Sequence, residues 1–211
     1  MERSAIEQLV DAVRDASTGG QPLLVGIAGP PGSGKTHLAA GLTKSLGAVT
    51  VPMDGFHLAN RQLDALGLRD VKGAPETFDR VGLLAALQRL PADEPVYFPD
   101  FSHEQHEPIA ASIRVEPDCP VVIVEGNYLL LDRPGWRELT ALFGITVFLD
   151  VPWRVCRPRL LARHEAAGMT PPEAQQWVDR SDRANFELIT GERLPADVHV
   201  DEFGVAVRNH R

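Results

Sequence analysis

The stretch LLVGIAGPPGSGKTHLAAGLTKSLG, residues 23–47, places a glycine-rich loop between an apolar run and a helix-like segment. Residues 29–36 match the pattern G-x-x-x-x-G-K-[ST] in full, and they lie in the strand-then-helix context that this pattern requires. The glycines allow the backbone to turn its N–H groups toward an anion, and the following helix adds the positive end of its dipole. The sequence therefore predicts a phosphate-binding P-loop rather than a Gly/Pro-rich turn with a chance lysine.

Two side chains at the end of this loop have separate predicted roles. Lys35 can reach the β- and γ-phosphates of a nucleoside triphosphate, and the Thr36 hydroxyl can ligate Mg²⁺. The guanine-reading motif Asn-Lys-x-Asp is absent from the sequence, so we expect ATP and Mg²⁺ as cofactors. The predicted nucleotide-binding residues are Gly29, Pro30, Pro31, Gly32, Ser33, Gly34, Lys35, Thr36 and His37.

Outward from the loop, short apolar runs alternate with helix-like segments. This alternation predicts a three-layer α/β fold with a mainly parallel central sheet, as in P-loop NTPases, within a single domain over residues 1–211. The predicted strands are residues 23–28, 48–52, 121–126 and 144–151, with a terminal pair at 196–200 and 204–208. The predicted helices are residues 2–16, 37–47, 58–67, 80–90, 153–168 and 171–189.

Composition and charge narrow the class of protein. The 211 residues carry a net charge of −8, which argues against a general binder of nucleic acid or anionic membranes. No apolar run approaches the roughly 20 residues that span a bilayer, and the charged N-terminus does not resemble a signal peptide. The widely separated Cys119 and Cys156 indicate reduced thiols rather than a disulfide or a zinc site. We expect a cytoplasmic protein, and a homodimer is left open.

Three carboxylates follow predicted strands. Because parallel strands end at one edge of a sheet, Asp54, Glu125 and Asp150 are all expected near the P-loop. Glu125 precedes a glycine in a Walker B-like arrangement and is a candidate Mg²⁺ ligand. Asp150 is interpreted as a cap of the next helix. Asp54 is either a general base for an acceptor hydroxyl or a cap of the helix that begins near Leu58.

Two further segments suggest additions to the sheet. Residues 94–118 carry many prolines and two runs of alternating residues, which predict a small excursion with strand character on the acceptor side. Residues 153–170 are rich in arginine and are predicted to form a helical lid. Arg159 and Arg163 share one helix face, and we interpret them as stabilising a transferred phosphoryl group rather than as solvated charges. The arginines interpreted as solvated are Arg154, Arg157, Arg180 and Arg183.

Several motifs, taken in order, resemble one kinase family. GPPGSGKT, MDGFH, KGAPETFD and VEGNYLLL, followed by the arginine-rich segment, resemble the phosphoribulokinase/uridine kinase/bacterial pantothenate kinase family. The sequence looks closest to the branch of fructose transport system kinases, and the resemblance runs from about residue 23 to about residue 200. It implies the catalytic residues Asp54, Lys35, Arg159 and Arg163, and the Mg²⁺ ligands Thr36 and Glu125.

The acceptor site implied by the resemblance is less well defined. Its predicted residues are Asp54, Phe56, His57, Lys72, Phe78, Asp100 and Asn185. Asn185 resembles an asparagine that faces the acceptor in pantothenate kinases, and the alternative is a residue near a helix C-terminus. Where pantothenate kinases carry an acceptor-binding histidine, this sequence has Pro99, with Asp100 and His103 nearby, so the acceptor site is altered.

The leading hypothesis is an ATP- and Mg²⁺-dependent kinase that phosphorylates a hydroxyl of a small metabolite. Sugars, nucleosides and pantothenate-like alcohols all carry such a hydroxyl. The alternative is a nucleotide-binding regulator of a transport or metabolic system with little transferase activity. Asp54 beside a candidate acceptor pocket favours the kinase over the regulator. A nucleoside monophosphate kinase is less favoured, because the motifs resemble the other family more closely.

Overall fold

A computed structural model describes residues 4–17, 21–204 and 206–208. The strands are β1 (Leu23–Ala28), β2 (Val49–Pro52), β3 (Val96–Ser102), β4 (Glu107–Val115), β5 (Val121–Gly126), β6 (Ile145–Asp150), β7 (Val198–Asp201) and β8 (Ala206–Arg208). Six of them form one sheet in the order β2-β5-β1-β6-β7-β8, in which only the β7–β8 pair is antiparallel. The predicted mainly parallel central sheet is therefore confirmed.

Helices cover both faces of this sheet. They are α1 (Ala5–Ala16), α2 (Lys35–Leu46), α3 (Asn60–Leu66), α4 (Arg80–Leu87), α5 (Trp136–Thr140), α6 (Trp153–Ala166), α7 (Pro171–Trp177) and α8 (Arg183–Gly191). The single helix predicted over 171–189 is interrupted by a π-helical turn, Val178–Asp182. No helix in the described ranges is long and apolar enough to cross a membrane. Residues 2 and 3 of the predicted first helix, and residue 205 of the predicted last strand, lie outside the described ranges.

The central strands are buried on both faces, which explains their continuous apolar sequences. In β5, Val122 and Val124 belong to one core cluster and Ile123 to the other. In β6, Phe148 and Val147 divide between the two clusters in the same way. This two-sided burial is typical of a parallel sheet between two layers of helices, and the three-layer prediction is confirmed.

Strands β3 and β4 form a separate two-stranded antiparallel sheet within the segment predicted as an excursion. The pairing register shifts between Phe98 and Asp100. The intervening Pro99 packs against the short 3₁₀ turn that follows β2, Met53–Phe56. An added Cβ at Gly55 would lie 2.4 Å from the Pro99 carbonyl oxygen, so only glycine allows this approach. The β3–β4 hairpin therefore packs directly against the turn that follows β2.

Candidate active site

A cleft of about 800 Å³ lies beyond the carboxyl ends of β1, β2 and β5. We call one part of it the phosphate end, which is lined by Gly32, Gly34, Lys35, Thr36 and Glu125. The other part is the acceptor end, which is lined by His57, Lys72, Gly73, Phe78, Asp182 and Asn185. Asp54 lies between the two ends. Its negative charge raises the pKa values of Lys35 and Glu125 at the phosphate end, and that of His57 at the acceptor end.

The loop at the phosphate end has the backbone that its glycines predict. Gly32 and Gly34 adopt positive φ angles of 77° and 100°, which strain any residue with a side chain. An added Cβ at Gly32 would also lie 2.9 Å from the Cys156 carbonyl oxygen of α6. The Ser33 Oγ atom is buried and has no hydrogen-bond partner among the described residues. A phosphate oxygen in this loop would satisfy that hydroxyl, so the loop fits an anion.

Lys35 lies buried at the base of the loop. Its Nζ atom donates to the Pro30 carbonyl oxygen at 3.1 Å. Burial lowers the pKa of Lys35, and the negative charges of Glu125 and Asp54 partly oppose this shift. A bound phosphate would add a further negative charge and favour the charged ammonium. An anionic ligand would therefore add to the compensation that Glu125 and Asp54 already give to the buried Lys35.

Thr36 and Glu125 form the pair that could hold a divalent cation. The Thr36 Oγ1 atom donates to Glu125 Oε1 at 3.1 Å, and burial raises the pKa of Glu125. Among the described residues, no group of three or more His, Cys, Asp or Glu side chains could form a complete metal site. One hydroxyl and one carboxylate fit Mg²⁺, which commonly takes its other ligands from phosphates and water.

Asp54 occupies the short 3₁₀ turn after β2, and its side chain is 46 % exposed. Its Oδ1 atom lies 4.0 Å from His57 Nε2. Helix α3 begins at Asn60 with Ala59 at its N-cap, so the interpretation of Asp54 as a helix cap is wrong. The turn is also held on its other side, where an added Cβ at Gly126 would lie 2.4 Å from Met53 Cβ. Asp54 thus presents a free carboxylate from a tightly packed turn.

His57 and Phe78 form an aromatic wall of the acceptor end. Their ring centroids are 3.9 Å apart, and the side chain of His57 is 8 % exposed. Burial lowers the pKa of His57, so a neutral imidazole faces Asp54. Phe56 was expected to line the acceptor pocket, but it packs in the core beneath this wall. Successive side chains of the tight turn point in different directions, so the pocket receives Asp54 and His57 but not Phe56.

Lys72 joins three segments at the acceptor end. Its Nζ atom donates to Asn60 Oδ1 at 2.7 Å and to the His106 carbonyl oxygen at 2.6 Å. Burial lowers the pKa of Lys72, and nearby Glu107 opposes this effect. The Glu107 carboxylate accepts from the Asn60 backbone N–H at 3.0 Å. These contacts hold the tip of the β3–β4 hairpin over the acceptor end.

Two predicted site residues lie outside the cleft lining. Asp100 is exposed, and its Oδ1 atom accepts from the Phe101 backbone N–H at 2.7 Å. Asp100 does not line the cleft, although its charge contributes to the raised pKa of Glu125. His37 is exposed on the first turn of α2 and lines a neighbouring cavity of about 570 Å³. That cavity meets the P-loop at Gly34.

The helical run after the predicted lid, together with one histidine of the lid, supplies residues that the motifs did not reveal. The structure places Asn185 in the first turn of α8, so the alternative of a helix C-terminal residue is wrong. The Asn185 Nδ2 atom donates to the Gly73 carbonyl oxygen at 3.4 Å. Asp182 and His164 also line the cleft, 2.8 Å apart. No sequence signal marks these two residues, because the π-helical turn that aims Asp182 inward has no recognisable motif.

The arginines of α6 divide as their spacing predicts. Arg159 and Arg163 line the cleft, and the Arg159 Nη1 atom donates to the Gly32 carbonyl oxygen at 3.2 Å. Arg154 pairs with Glu202, and Arg157 pairs with Asp179, on the outer surface.

The expected helix cap at Asp150 is wrong. Pro152 is the N-cap residue of α6 and no side chain caps this helix, because Asp150 still belongs to β6, two residues earlier. Asp150 is exposed and does not line the cleft. Two of the three carboxylates expected at the sheet edge, Asp54 and Glu125, therefore lie in the cleft.

Comparisons with known proteins agree on one family. The sequence pattern of the Phosphoribulokinase / Uridine kinase family matches residues 24–170. The uncharacterised protein YggC of Escherichia coli (strain K12) is 36% identical over 185 residues, which cover 84% of this chain and 77% of YggC. A candidate uridine kinase of Schizosaccharomyces pombe is 36% identical over 194 residues, which cover 84% of this chain and 82% of that protein. The crystal structure of a candidate fructose transport system kinase from Silicibacter sp. TM1040 shares 40% identity at a TM-score of 0.86, covering 94% and 99% of the two chains.

Proposed function

The chain belongs to the phosphoribulokinase/uridine kinase family, and from this premise we propose that it transfers the γ-phosphoryl group of ATP, with Mg²⁺, to a hydroxyl of a small metabolite. The observation that carries the proposal is the position of Asp54. Its free carboxylate lies between a P-loop and a second, aromatic-walled part of the same cleft. A protein that only senses ATP has no need of a base in this position.

The phosphate end would bind and orient the donor. Lys35 and the backbone N–H groups of the loop would hold the β- and γ-phosphates, and Thr36 with Glu125 would hold the cation. The cation neutralises charge on the phosphates when it is bound. The cavity beside the P-loop, lined by His37 and by Phe203, which is 81 % exposed, would receive the base of the nucleotide.

Asp54 would accept the proton of the acceptor hydroxyl as its oxygen attacks the γ-phosphate. The half-exposed carboxylate of Asp54 is a ready hydrogen-bond acceptor, and the neutral His57 beside it adds no positive charge. Arg159 and Arg163, on α6, would stabilise the charge of the transferred group, as arginines on a lid do after closure. The lid motion itself, the single domain over residues 1–211 and a cytoplasmic location stay predictions.

The proposal is tested by an ADP-release screen with sugars, nucleosides and pantothenate-like alcohols. On an identified substrate, we expect Asp54→Asn to retain ATP binding and to lower kcat by about 10²- to 10⁴-fold, since it removes the base. Asp118→Asn, in an exposed loop away from the cleft, is the control and should keep full activity. Tight ATP binding with no phosphorylation of any acceptor would favour the nucleotide-binding regulator, and full activity of Asp54→Asn would remove Asp54 as the base.

A further inference from the structure

One buried carboxylate at the acceptor end takes no part in the proposed transfer. Asp182 is 6 % exposed and lines the cleft from the π-helical turn Val178–Asp182. Its Oδ2 atom lies 2.8 Å from His164 Nε2, and its Oδ1 atom has no hydrogen-bond partner among the described residues. Unlike Ser33 Oγ, this oxygen is not fully buried, so it is open to a hydrogen-bond donor from a ligand in the cleft.

Asn185 lies beside Asp182 on the same wall. It is 9 % exposed, and its Nδ2 atom donates to the Gly73 carbonyl oxygen, which also accepts from the Tyr128 hydroxyl at 2.6 Å. The Asn185 Oδ1 atom has no partner among the described residues, and like Asp182 Oδ1 it belongs to a cleft-lining side chain. The wall therefore offers two fixed hydrogen-bond acceptors, three residues apart on one helical run.

Asp54 adds a third acceptor on the other side of the same space. Burial is the main cause that raises the pKa of Tyr128, and the charges of Asp54 and Asp182 both contribute to the rise. Asp54 and Asp182 both line the cleft, and the buried Tyr128 hydroxyl lies within the range of both charges. A ligand in this space would meet carboxylate and amide oxygens from two directions.

The cations of the acceptor end are already engaged by the protein. Lys72 donates to Asn60 and to the His106 carbonyl oxygen. Arg69 makes two hydrogen bonds to the carboxylate of Asp64, at 2.9 and 3.1 Å. The two other cleft arginines belong with the phosphates: Arg163 lowers the pKa of Lys35, and Arg159 donates to the Gly32 carbonyl oxygen. The charge of Lys72 persists in these contacts with neutral oxygens, but nearby Glu107 offsets part of it, as Asp64 offsets the charge of Arg69. The oxygens Asp182 Oδ1 and Asn185 Oδ1 have no such partner among the described residues.

We infer that the acceptor is a neutral polyol, in which one hydroxyl faces Asp54 and further hydroxyls donate to Asp182 and Asn185. His164 holds Asp182 in place for this contact. An acceptor with a carboxylate or a phosphate would bring a further negative charge to a space that Asp54 and Asp182 already line. The carboxylates beside Lys72 and Arg69 already offset part of the positive charge there. The inference rests on the proposed function and specifies its substrate class. Free sugars and the ribose of nucleosides share this chemistry.

The first test compares matched neutral and anionic ligands in the presence of Mg²⁺ and a non-hydrolysable ATP analogue, by calorimetry. The pairs are fructose with fructose 6-phosphate, uridine with uridine 5′-monophosphate, and pantothenol with pantothenate. We expect the neutral member of at least one pair to bind at least about tenfold more tightly, as expected for one well-placed charged contact. A preference within the fructose pair would indicate a free sugar as the acceptor, and a preference within the uridine pair would indicate a nucleoside. Tighter binding of the anionic members, or binding of no neutral member, overturns the inference.

Calorimetry on these pairs, combined with the ADP-release screen on the same ligands with ATP, separates this inference from the proposed function. A neutral polyol that binds but is never phosphorylated contradicts the transfer and leaves the substrate class standing. Phosphorylation of the anionic members alone supports the transfer and overturns the substrate class.

The second test replaces the carboxylate itself. We expect Asp182→Asn to raise the KM for the neutral polyol at least about tenfold with little change in kcat, and to weaken the discrimination against the anionic partner. Asp179→Asn, in the same π-helical turn but exposed and paired with Arg157, should leave both values unchanged. Circular dichroism and urea unfolding establish that each variant folds. An unchanged KM in a folded Asp182→Asn variant overturns the role of Asp182, and the wild-type pairs test the inference without any variant.

Discussion

The two ends of the cleft are assembled in different ways. Most of the phosphate end comes from one continuous stretch, residues 29–36, and Glu125 on the adjacent strand completes it. The acceptor end combines the turn after β2, the loop at Lys72 and Gly73, the tip of a hairpin and the π-helical turn. The phosphate end is thus a local structure, whereas the acceptor end depends on contacts between distant segments. A substitution at the phosphate end should therefore lower transfer to every acceptor alike. A substitution at the acceptor end should affect some acceptors more than others.

The largest effect is expected at the phosphate end. Lys35→Met removes the buried ammonium beside the P-loop, and we expect phosphoryl transfer to fall by at least about 10³-fold with every acceptor. ADP release with two unrelated acceptors measures this. Lys44→Met, on the exposed last turn of α2, is the matched control. A loss of ADP release with only one of the two acceptors would contradict this expectation, because the phosphate end would then also affect the choice of acceptor.

An intermediate effect is expected where the two ends meet. Gly55→Ala would place a Cβ 2.4 Å from the Pro99 carbonyl oxygen, so the turn that carries Asp54 must shift. A displacement of about 1 Å at a reacting group can cost about 10²-fold in rate, and we expect a loss of kcat of this order with unchanged ATP affinity. Gly191→Ala, where an added Cβ meets no neighbour, is the control. Weakened ATP binding in Gly55→Ala would mean that the turn supports both ends.

The contrast between the ends also explains what the sequence could predict. The P-loop, the strands and Glu125 follow from local patterns, because a glycine-rich loop and a buried parallel strand each have a characteristic sequence. Asp54 follows from its place after a strand. The wall formed by Asp182 and His164 could not be predicted, since it depends on a π-helical turn and on a contact between two helices.

The errors in the predicted positions of Phe56, Asp100 and Asp150 have the same origin. The motifs around them place Phe56 and Asp100 in the acceptor pocket, yet a tight turn directs Phe56 into the core, and Asp100 does not line the cleft. Asp150 was assigned as a cap because a helix follows closely, but Pro152 takes that position. Short-range patterns give the neighbourhood of these residues and leave the direction of each side chain undetermined.

The smallest effect concerns stability and comes from the acceptor end. Burial holds the pKa of His57 below its ordinary value of 6.5. The imidazole of His57 therefore binds a proton more readily in the unfolded chain than in the folded protein. The contribution of the neutral His57 to stability is complete above pH 6.5 and is lost as the pH falls from there toward the folded-state pKa. Urea unfolding at pH 7.5 and 5.5 should show a smaller loss of stability in His57→Gln than in the wild type. His37→Gln, an exposed histidine, should behave as the wild type, and equal losses in both variants would contradict the assignment.

The π-helical turn has a consequence for how the family can diversify. Such a turn is typically produced by one extra residue in a helical run, and each residue in an α-helix rotates the side chains that follow by about 100°. Removing one residue from Val178–Asp182 would restore a continuous helix and rotate the flanking side chains relative to one another. Related proteins could thus exchange one acceptor for another through a single deletion, with every phosphate-binding motif intact. Helix length would then be as informative about the substrate as the residues themselves.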